Sequence, residues 1–340
     1  MEPVPRTSHG GPPTIRDVAR SAKVGVGTVS RVLNDSPSVS DDARERVRQA
    51  IAELGYRPSS TARKLSLGRT QTIGVVAPFF TTGSVLERLR GVVERLRESQ
   101  NYDLLLFDVE TIGQRADAFR DFARSDRVDG LLLMSLRPTD EEAGALRDEG
   151  LPVVLVDVSH PAFPSVVIDD VLGGEIATEH LLAKGHRRVG FVGDSRTPFG
   201  FTASERRRRG MRRALRRAGI ECRAELEQRG PHGREAARQL TEQLLRMPEP
   251  PTAIFAASDI QAIGVLEAAR TTALRVPEDL AVIGFDDIEV AQALELTTIR
   301  QPLGETGRRG ADLLLAAIEG VEPPAAEELA ALTLIERRTT

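Results

Sequence analysis

The chain has 340 residues, 46 Lys and Arg against 50 Asp and Glu, and a net charge of −4. That length allows a large core and two or three domains. One cysteine, Cys222, excludes an internal disulfide and a cysteine-rich zinc site, and the five histidines form no metal-spaced set. No apolar run approaches the ~18 residues of a membrane span, and the N-terminus lacks a secretory apolar stretch. The chain is therefore expected in the cytoplasm. The charge is unevenly divided: residues 1–70 hold 12 basic and 7 acidic side chains, the remainder 34 and 43. A basic head on an acidic body places a nucleic acid at one end.

Residues 1–13 are rich in Pro and Gly and are expected to be disordered. Thr14 then stands at a helix N-cap position, with Asp17 three residues on, a Thr-x-x-Asp variant of the capping box. Ile15, Val18, Ala19 and Ala22 share one helical face. The chain turns through Lys23 and Val24, and Gly25 can cap a second short helix. Val29, Val32 and Leu33 face inward from it, which leaves Val26, Gly27, Thr28, Ser30 and Arg31 outward. A third helix opens at Ser40, with Asp41 and Asp42 near the positive end of its dipole. Val47, Ala50, Ile51 and Leu54 form its stripe, and Gly55 ends it. A helix pair of this length fits its second member to the DNA major groove, so residues 14–58 are expected to be a helix-turn-helix domain. Residues 59–71 are too short for a stable isolated helix and read as a linker.

From Thr72 the pattern alternates. Strand-like runs fall at Ile73–Ala77, Leu104–Val109, Gly130–Met134, Val153–Val158, Val189–Gly193, Ala253–Ala256 and Ala281–Phe285. Amphipathic helices fall at Val85–Ser99, Gly173–Lys184, Arg206–Ala218 and Gln261–Ala269. Alternation of this kind predicts parallel sheets covered by helices. Two doubly wound subdomains fit the strand number, with crossings near Asp157–Ile168, Phe285–Thr298 and Glu322–Glu327. The first subdomain is expected over about 72–160 and 298–322, the second over about 161–297 and 323–340. Ligands bind beyond the carboxyl ends of such strands. Phe79, Phe80, Asp108, Ser135, Asp157, Asp194, Ser258, Asp259 and Asp286 stand there. Carboxylates opposed to an arginine hold sugar hydroxyls well. His160, His180, His186 and His232 read as surface or loop residues.

The stretches TIRDVARSA, TVSRVLN and VSDDARERVRQAIAELGYRPSSTARKL closely resemble the headpiece of the lactose-repressor (LacI–GalR) family of bacterial transcription regulators. The resemblance runs on to LTLIERRTT at the C-terminus. It implies an all-α helix-turn-helix headpiece on an α/β core of two doubly wound parallel-sheet subdomains, the arrangement of periplasmic sugar-binding proteins. It implies DNA contacts at Thr14, Val26, Gly27, Thr28, Ser30, Arg31, Asn34, Tyr56, Ser59, Ala62 and Leu65. Leu65 matches a leucine that wedges into the minor groove when two linkers fold against each other on the operator; packing on the core is its other reading.

For the effector, the strand-end residues Phe79, Phe80 and Asp259 are candidates, and the resemblance implies Asp157, Arg207, Ser258 and Asp286. Arg207 is chosen because the family places an arginine three residues before a glycine, here Gly210. The other arginines from Arg206 to Arg217 read as a solvated face, and Asp286 could instead cap a turn. The chain departs from the family at Lys23, where glycine is usual, at Gly25, where serine is usual, and at the base-reading positions Val26 and Gly27. Glu227–His232 lacks an aromatic that many relatives place over the ligand ring.

The expected protein is a DNA-binding regulator, a repressor in the simplest case. A palindromic operator implies a homodimer, and with no trailing leucine heptad a coiled-coil tetramer is not expected. A sugar or sugar derivative is the first choice of effector. A nucleobase or other metabolite stacked on Phe79, Phe80 or Phe199 is the alternative. No cofactor, metal or membrane is implied. A solute-binding protein would lack residues 14–65, and GVGTVS at Gly25 follows a helix rather than a strand, which argues against a dinucleotide enzyme.

Overall fold

The computed structural model describes residues 13–33, 36–56, 69–80, 83–99, 102–122, 127–195, 202–329 and 332–340. Asn34, Ser59, Ala62, Leu65 and Phe199, and nearly all of the 1–13 and 59–71 segments, lie outside the described residues. The chain divides into two compact units, Met1–Thr70 and Gln71–Thr340.

The first unit holds three helices, α1 (Ile15–Ser21), α2 (Val26–Leu33) and α3 (Asp41–Leu54). The Asp17 carboxylate accepts from the Thr14 amide at 3.0 Å and its hydroxyl at 2.7 Å, which fixes the start of α1. Ser40 Oγ accepts from the Ala43 amide at 3.4 Å, and Gly55 closes α3 with φ 60°. Val18, Val29 and Val47 are fully buried where the helices meet, with Ala19, Ala22, Val32, Ala43 and Ala50 around them. Ile15, Leu33, Ile51 and Leu54 pack against this cluster from its margin. Lys23 has φ 54° between α1 and α2, in the left-handed region that favours glycine. That left-handed backbone costs about 1–2 kcal/mol.

The second unit contains two six-stranded sheets among the described residues. The strands are β1 (Thr72–Ala77), β2 (Asp103–Asp108), β3 (Gly130–Met134), β4 (Val153–Val156), β5 (Ser165–Val167), β6 (Val189–Asp194), β7 (Glu227–Gly230), β8 (Ala253–Ala256), β9 (Ala281–Asp286), β10 (Thr297–Arg300), β11 (Ala326–Glu328) and β12 (Thr333–Ile335). The first sheet runs β11-β5-β4-β3-β1-β2, the second β12-β10-β9-β8-β6-β7. Every described pairing is parallel except β10 with β12. Strands such as β3, GLLLM, are buried on both faces, as helices on either side require. No helix of the described residues is long and apolar enough to cross a membrane.

The expected subdomain boundaries need correction. β5 and β11 pair with each other in the first sheet, and β10 belongs to the second. Each crossing therefore lies a few residues later in the chain than the sequence suggested. Three-residue strands carry too little periodicity to announce their sheet.

Two helix pairs position the site described below. Helix Leu303–Ile318 packs on Gly83–Ser99, and Asp170–Ala183 packs on Ala203–Arg217. A Cβ at Gly307 would overlap the carbonyl oxygen of Arg88, and one at Gly174 that of Arg207. Glycine thus lets each partner helix abut the backbone of an arginine, and both arginines are thereby held against their sheets.

Two glycine replacements should behave oppositely. Gly307→Ala should lower the stability of the second unit by roughly 1–3 kcal/mol, since the overlapping group is backbone. Gly27→Ala meets nothing within 4 Å and should stabilise the first unit by about 1 kcal/mol. Chemical denaturation of the full chain with a probe in each unit checks both signs.

Candidate functional site

Two faces answer to the sequence expectations, one in each unit. In the first unit, Val26 is 43% exposed, Gly27 and Arg31 are exposed, and Thr28 and Ser30 are partly so. All five lie along α2 away from the buried Val29 and Val32. Thr14 is exposed at the start of α1. This is an outward helix face with one cation and small side chains. Tyr56 is a correction: it is buried in the three-helix core, not set on the reading face. A cluster built from valines and alanines needs its ring volume.

The second unit holds a cavity of about 70 Å³ between the carboxyl ends of the two sheets. Phe79, Ser135, Asp157, Asp194, Arg207, Ser258 and Asp286 all line it. Its wall is held by a chain of ionic and hydrogen bonds. Arg207 is buried; its Nε donates to Asp170 Oδ1 at 2.9 Å and its Nη1 to the Ala257 carbonyl at 2.7 Å. The same Nη1 stands 3.5 Å from Asp286 Oδ1. Its guanidinium lies 3.7 Å over the Phe285 ring centre, a cation–π contact made strong by burial. Opposite, Arg88 Nη2 donates to Asp157 Oδ1 at 2.7 Å and to Gln301 Oε1 at 3.0 Å. Gln301 Nε2 in turn donates to Asp286 Oδ1 at 2.5 Å. Ser135 Oγ donates to Asp157 Oδ2 at 2.7 Å. Arg88 Nε is buried with no hydrogen-bond partner among the described residues, an unmet donor in the wall of a polar cavity.

A third wall is aromatic. Phe79 and His232 stack at 5.7 Å with an interplanar angle of 20°. His232 Nδ1 lies 3.0 Å from Asp194 Oδ1, which also accepts from Gln261 Nε2 at 2.9 Å. Burial opposes charge on His232, but the Asp194 hydrogen bond and the Asp194 and Asp286 carboxylates outweigh it, so its pKa is raised.

The strand ends are conformationally special. Phe79, Ser135, Asp157 and Asp286 have φ of 55°, 51°, 71° and 116°. Side chains rarely adopt such backbone, at a cost of order 1–3 kcal/mol each, and instances cluster at binding sites.

Comparison with known proteins assigns both units to known families. Residues 14–59 match the family described as bacterial regulatory proteins, lacI family, and residues 178–340 the periplasmic binding protein-like domain. The HTH-type transcriptional repressor CytR of Escherichia coli (strain K12) is 35% identical over 332 residues, covering 96% of each chain. This chain belongs to the lacI family of bacterial regulatory proteins. A Lac repressor dimer bound to operator and the anti-inducer ONPF matches with TM-score 0.83 and 28% identity, over 97% of this chain and 99% of that one. The transcriptional regulator CelR in complex with cellobiose matches with TM-score 0.72 and 33% identity, over 96% and 100%. The lacI-family assignment makes the chain a DNA-binding transcriptional regulator, and its relatives are regulators.

Against this lacI-family frame, several expectations change. Phe80 packs on the apolar cluster under the first sheet and does not line the cavity. Asp259 is fully buried behind it, accepting from Thr298 Oγ1 at 2.6 Å and the Ile288 amide at 3.0 Å. It braces a crossover rather than facing ligand. Asp108 accepts from the Phe80 amide at 3.2 Å, also outside the cavity. His160 is a loop residue, though buried, and His180 is buried in helix Asp170–Ala183 rather than in a loop or on the surface. His232 is in the cavity, so an imidazole occupies the Glu227–His232 stretch where no aromatic was expected. Sequence reading missed Arg88, Gln301, Ser84 and Ser204, all cavity-lining. Arg88 carried a usable signal: it falls on the stripe of Val85, Val92 and Leu96.

Burial is the main reason that Asp170 stands at about 6, above the usual 3.8; Arg207 pulls it down and Asp157 adds to the rise. A raised acid binds its proton more readily folded than unfolded. Its contribution is fully present below about pH 4 and lost as pH rises through about 6. The unfolding free energy of wild type should therefore rise relative to that of Asp170→Asn between pH 7 and pH 5. Denaturant titrations at the two pH values test this; a flat or shrinking difference contradicts the assignment.

Proposed function

We propose that this regulator binds a palindromic operator as a homodimer, and that a sugar or sugar derivative in the second unit's cavity controls operator affinity. One observation carries the effector class: the cavity wall alternates carboxylates with buried guanidinium groups, and one guanidinium donor is still unmet. Hydroxyls both donate and accept, so a polyhydroxylated ligand can satisfy both kinds of group at once. The stacked Phe79 and His232 offer a flat face for the apolar side of a sugar ring. The cellobiose held by CelR, at 33% identity over the whole chain, is in keeping with this, as is the operator-bound Lac repressor dimer with the operator and homodimer.

The same stacked pair favours one second reading, a base-bearing ligand lying on its face. The reading is of a regulator and not of an enzyme, working in the cytoplasm on the nucleoid. It keeps the division into headpiece 14–58, linker 59–71 and core 72–340, and the wedge role of Leu65. It keeps Val26, Gly27, Thr28, Ser30 and Arg31 as groove-facing. Val26 can meet a thymine methyl and Arg31 a guanine.

The direct experiment selects genomic fragments by gel shift, then measures their affinity with a sugar and nucleoside panel. At least one sugar should change operator affinity fivefold or more, within the ordinary range of ~1–3 kcal/mol for allosteric coupling. Asp157→Asn and Asp194→Asn should each lose at least tenfold in effector affinity. Responses unchanged in both variants would place the effector elsewhere; a response to nucleosides alone would select the second reading.

A further inference from the structure

Beside the effector cavity lies a second, more open one of about 490 Å³, and three arginines line it. It is lined by Arg137, Arg206 and Arg209 with Ser159 and Thr202. Three chain segments carry it next to the inner cavity. Ser135 lines the inner one and Arg137 the outer; Asp157 the inner and Ser159 the outer; Arg207 the inner and Arg206 the outer. Residues two apart lie within about 7 Å along the chain, so the outer cavity adjoins the inner one.

The arginines of helix Ala203–Arg217 are treated differently on its two sides. Arg208 and Arg212 hold Glu227, each at 2.7 Å, and Arg217 holds Glu175 at 2.7 Å. Arg206 and Arg209 are not so provided. Arg206 comes only within 3.9 Å of Asp170, a carboxylate already engaged by Arg207 at 2.9 Å, and its Nε is buried without a hydrogen bond among the described residues. No acidic group pairs with Arg209 or Arg137 among the described residues; Arg137 Nε donates only to the Ser159 carbonyl at 3.1 Å. The acid in the lining, Glu205, is held by Arg208 at 2.5 Å and Arg229 at 3.5 Å. Arg137 and Arg209, from two sides of one opening, are thus left without a matching anion among the described residues, and Arg206 has only a long-range share of Asp170. Thr202, at the N-terminus of the 15-residue helix, has no capping hydrogen bond from its side chain, which adds a free hydroxyl where the helix dipole favours negative charge.

We propose that this outer cavity receives a phosphate group, and that the effector is a phosphorylated sugar whose ring occupies the inner cavity. This rests on the sugar reading above and names the ligand more closely. Guanidinium forks match phosphate oxygens in pairs, whereas an uncharged sugar would leave Arg137 and Arg209 unanswered. The inner carboxylates repel a phosphate, so the charge distribution also orients the ligand, ester outward.

The test compares full-length wild type with Arg137→Gln/Arg209→Gln, two exposed positions that carry no ion pair in the described structure. Thermal shift with inorganic phosphate, at constant ionic strength set with chloride, should show saturable stabilisation in wild type. The double variant should need at least tenfold more phosphate. Phosphate bound by the basic first unit is common to both proteins and cancels. Calorimetry then compares sugars with their phosphate esters: ribose, glucose and fructose against ribose 5-phosphate, glucose 6-phosphate and fructose 6-phosphate. At least one ester should bind wild type tenfold or more tightly than its parent, and the double variant should lose that gain while keeping parent-sugar affinity. No saturable phosphate effect, or an equal one in both proteins, overturns the phosphate site. Phosphate binding with no gain for any ester overturns the shared ligand. If phosphate binds as expected but no sugar, ester or nucleoside alters operator affinity, it is the sugar reading that fails instead.

Discussion

The second unit depends on an unbroken line of polar contacts, ionic except at Gln301, from Asp157 through Arg88, Gln301 and Asp286 to Arg207 and Asp170. Arg88 and Asp157 belong to the side of the first sheet, Asp286 and Arg207 to the second. Gln301 lies between them, in the crossing that leads from β10 into helix Leu303–Ile318. No member can be removed without leaving a neighbour buried and uncompensated, which costs more than a surface pair ever returns. Hydrophobic residues of the same volume would serve stability as well or better. The retention of ions at this place therefore argues for recognition, not for holding the fold together.

The backbone supports the same conclusion independently. Four of the cavity residues occupy left-handed or neighbouring conformations that none of their side chains favours. A strand that ended in ordinary extended geometry would send its last side chain along the sheet face. The turn in φ instead aims Ser135, Asp157 and Asp286 across the end of the sheet, into the cavity. The strain is affordable because the strands below are buried on both faces and paired on both edges. Asp259 shows the complementary role: fully buried and bonded to Thr298 and the Ile288 amide, it fixes the neighbouring crossing while lining nothing.

Much of this was legible in the chain. The capping pair Thr14 and Asp17, the Ser40 cap and the Gly55 stop all operate locally, and they emerged where the sequence put them. The central strands did too, since five or six apolar residues in a row leave little alternative. Short edge strands did not: Glu227–Gly230 is polar and Ser165–Val167 has three residues, so only tertiary pairing makes them strands. The cavity was half legible. Residues at strand ends could be located by counting, but Phe80 and Asp259 sit one position beyond Phe79 and Ser258, and one position turns a side chain away. Arg88 and Gln301 were hidden for another reason. An arginine in a helix reads as solvated unless its place on the apolar stripe is given more weight than its charge, and a lone glutamine carries no pattern at all.

The geometry also constrains how a ligand could act. The halves are joined by three crossings, and the Arg88–Gln301–Asp286 contacts sit directly beside the second of them. A rotation of one half against the other about these crossings must lengthen or shorten those bonds, because Gln301 is tied to both sides. Ligand hydroxyls that compete for Asp157, Asp286 or Arg207 therefore change the relative stability of open and closed arrangements. Only that difference in affinity can shift the equilibrium. Gln301 reaches the carboxyl end of β9 on one side and a helix packed on the first sheet on the other. It is therefore the residue through which occupancy of the cavity is most directly felt by the fold.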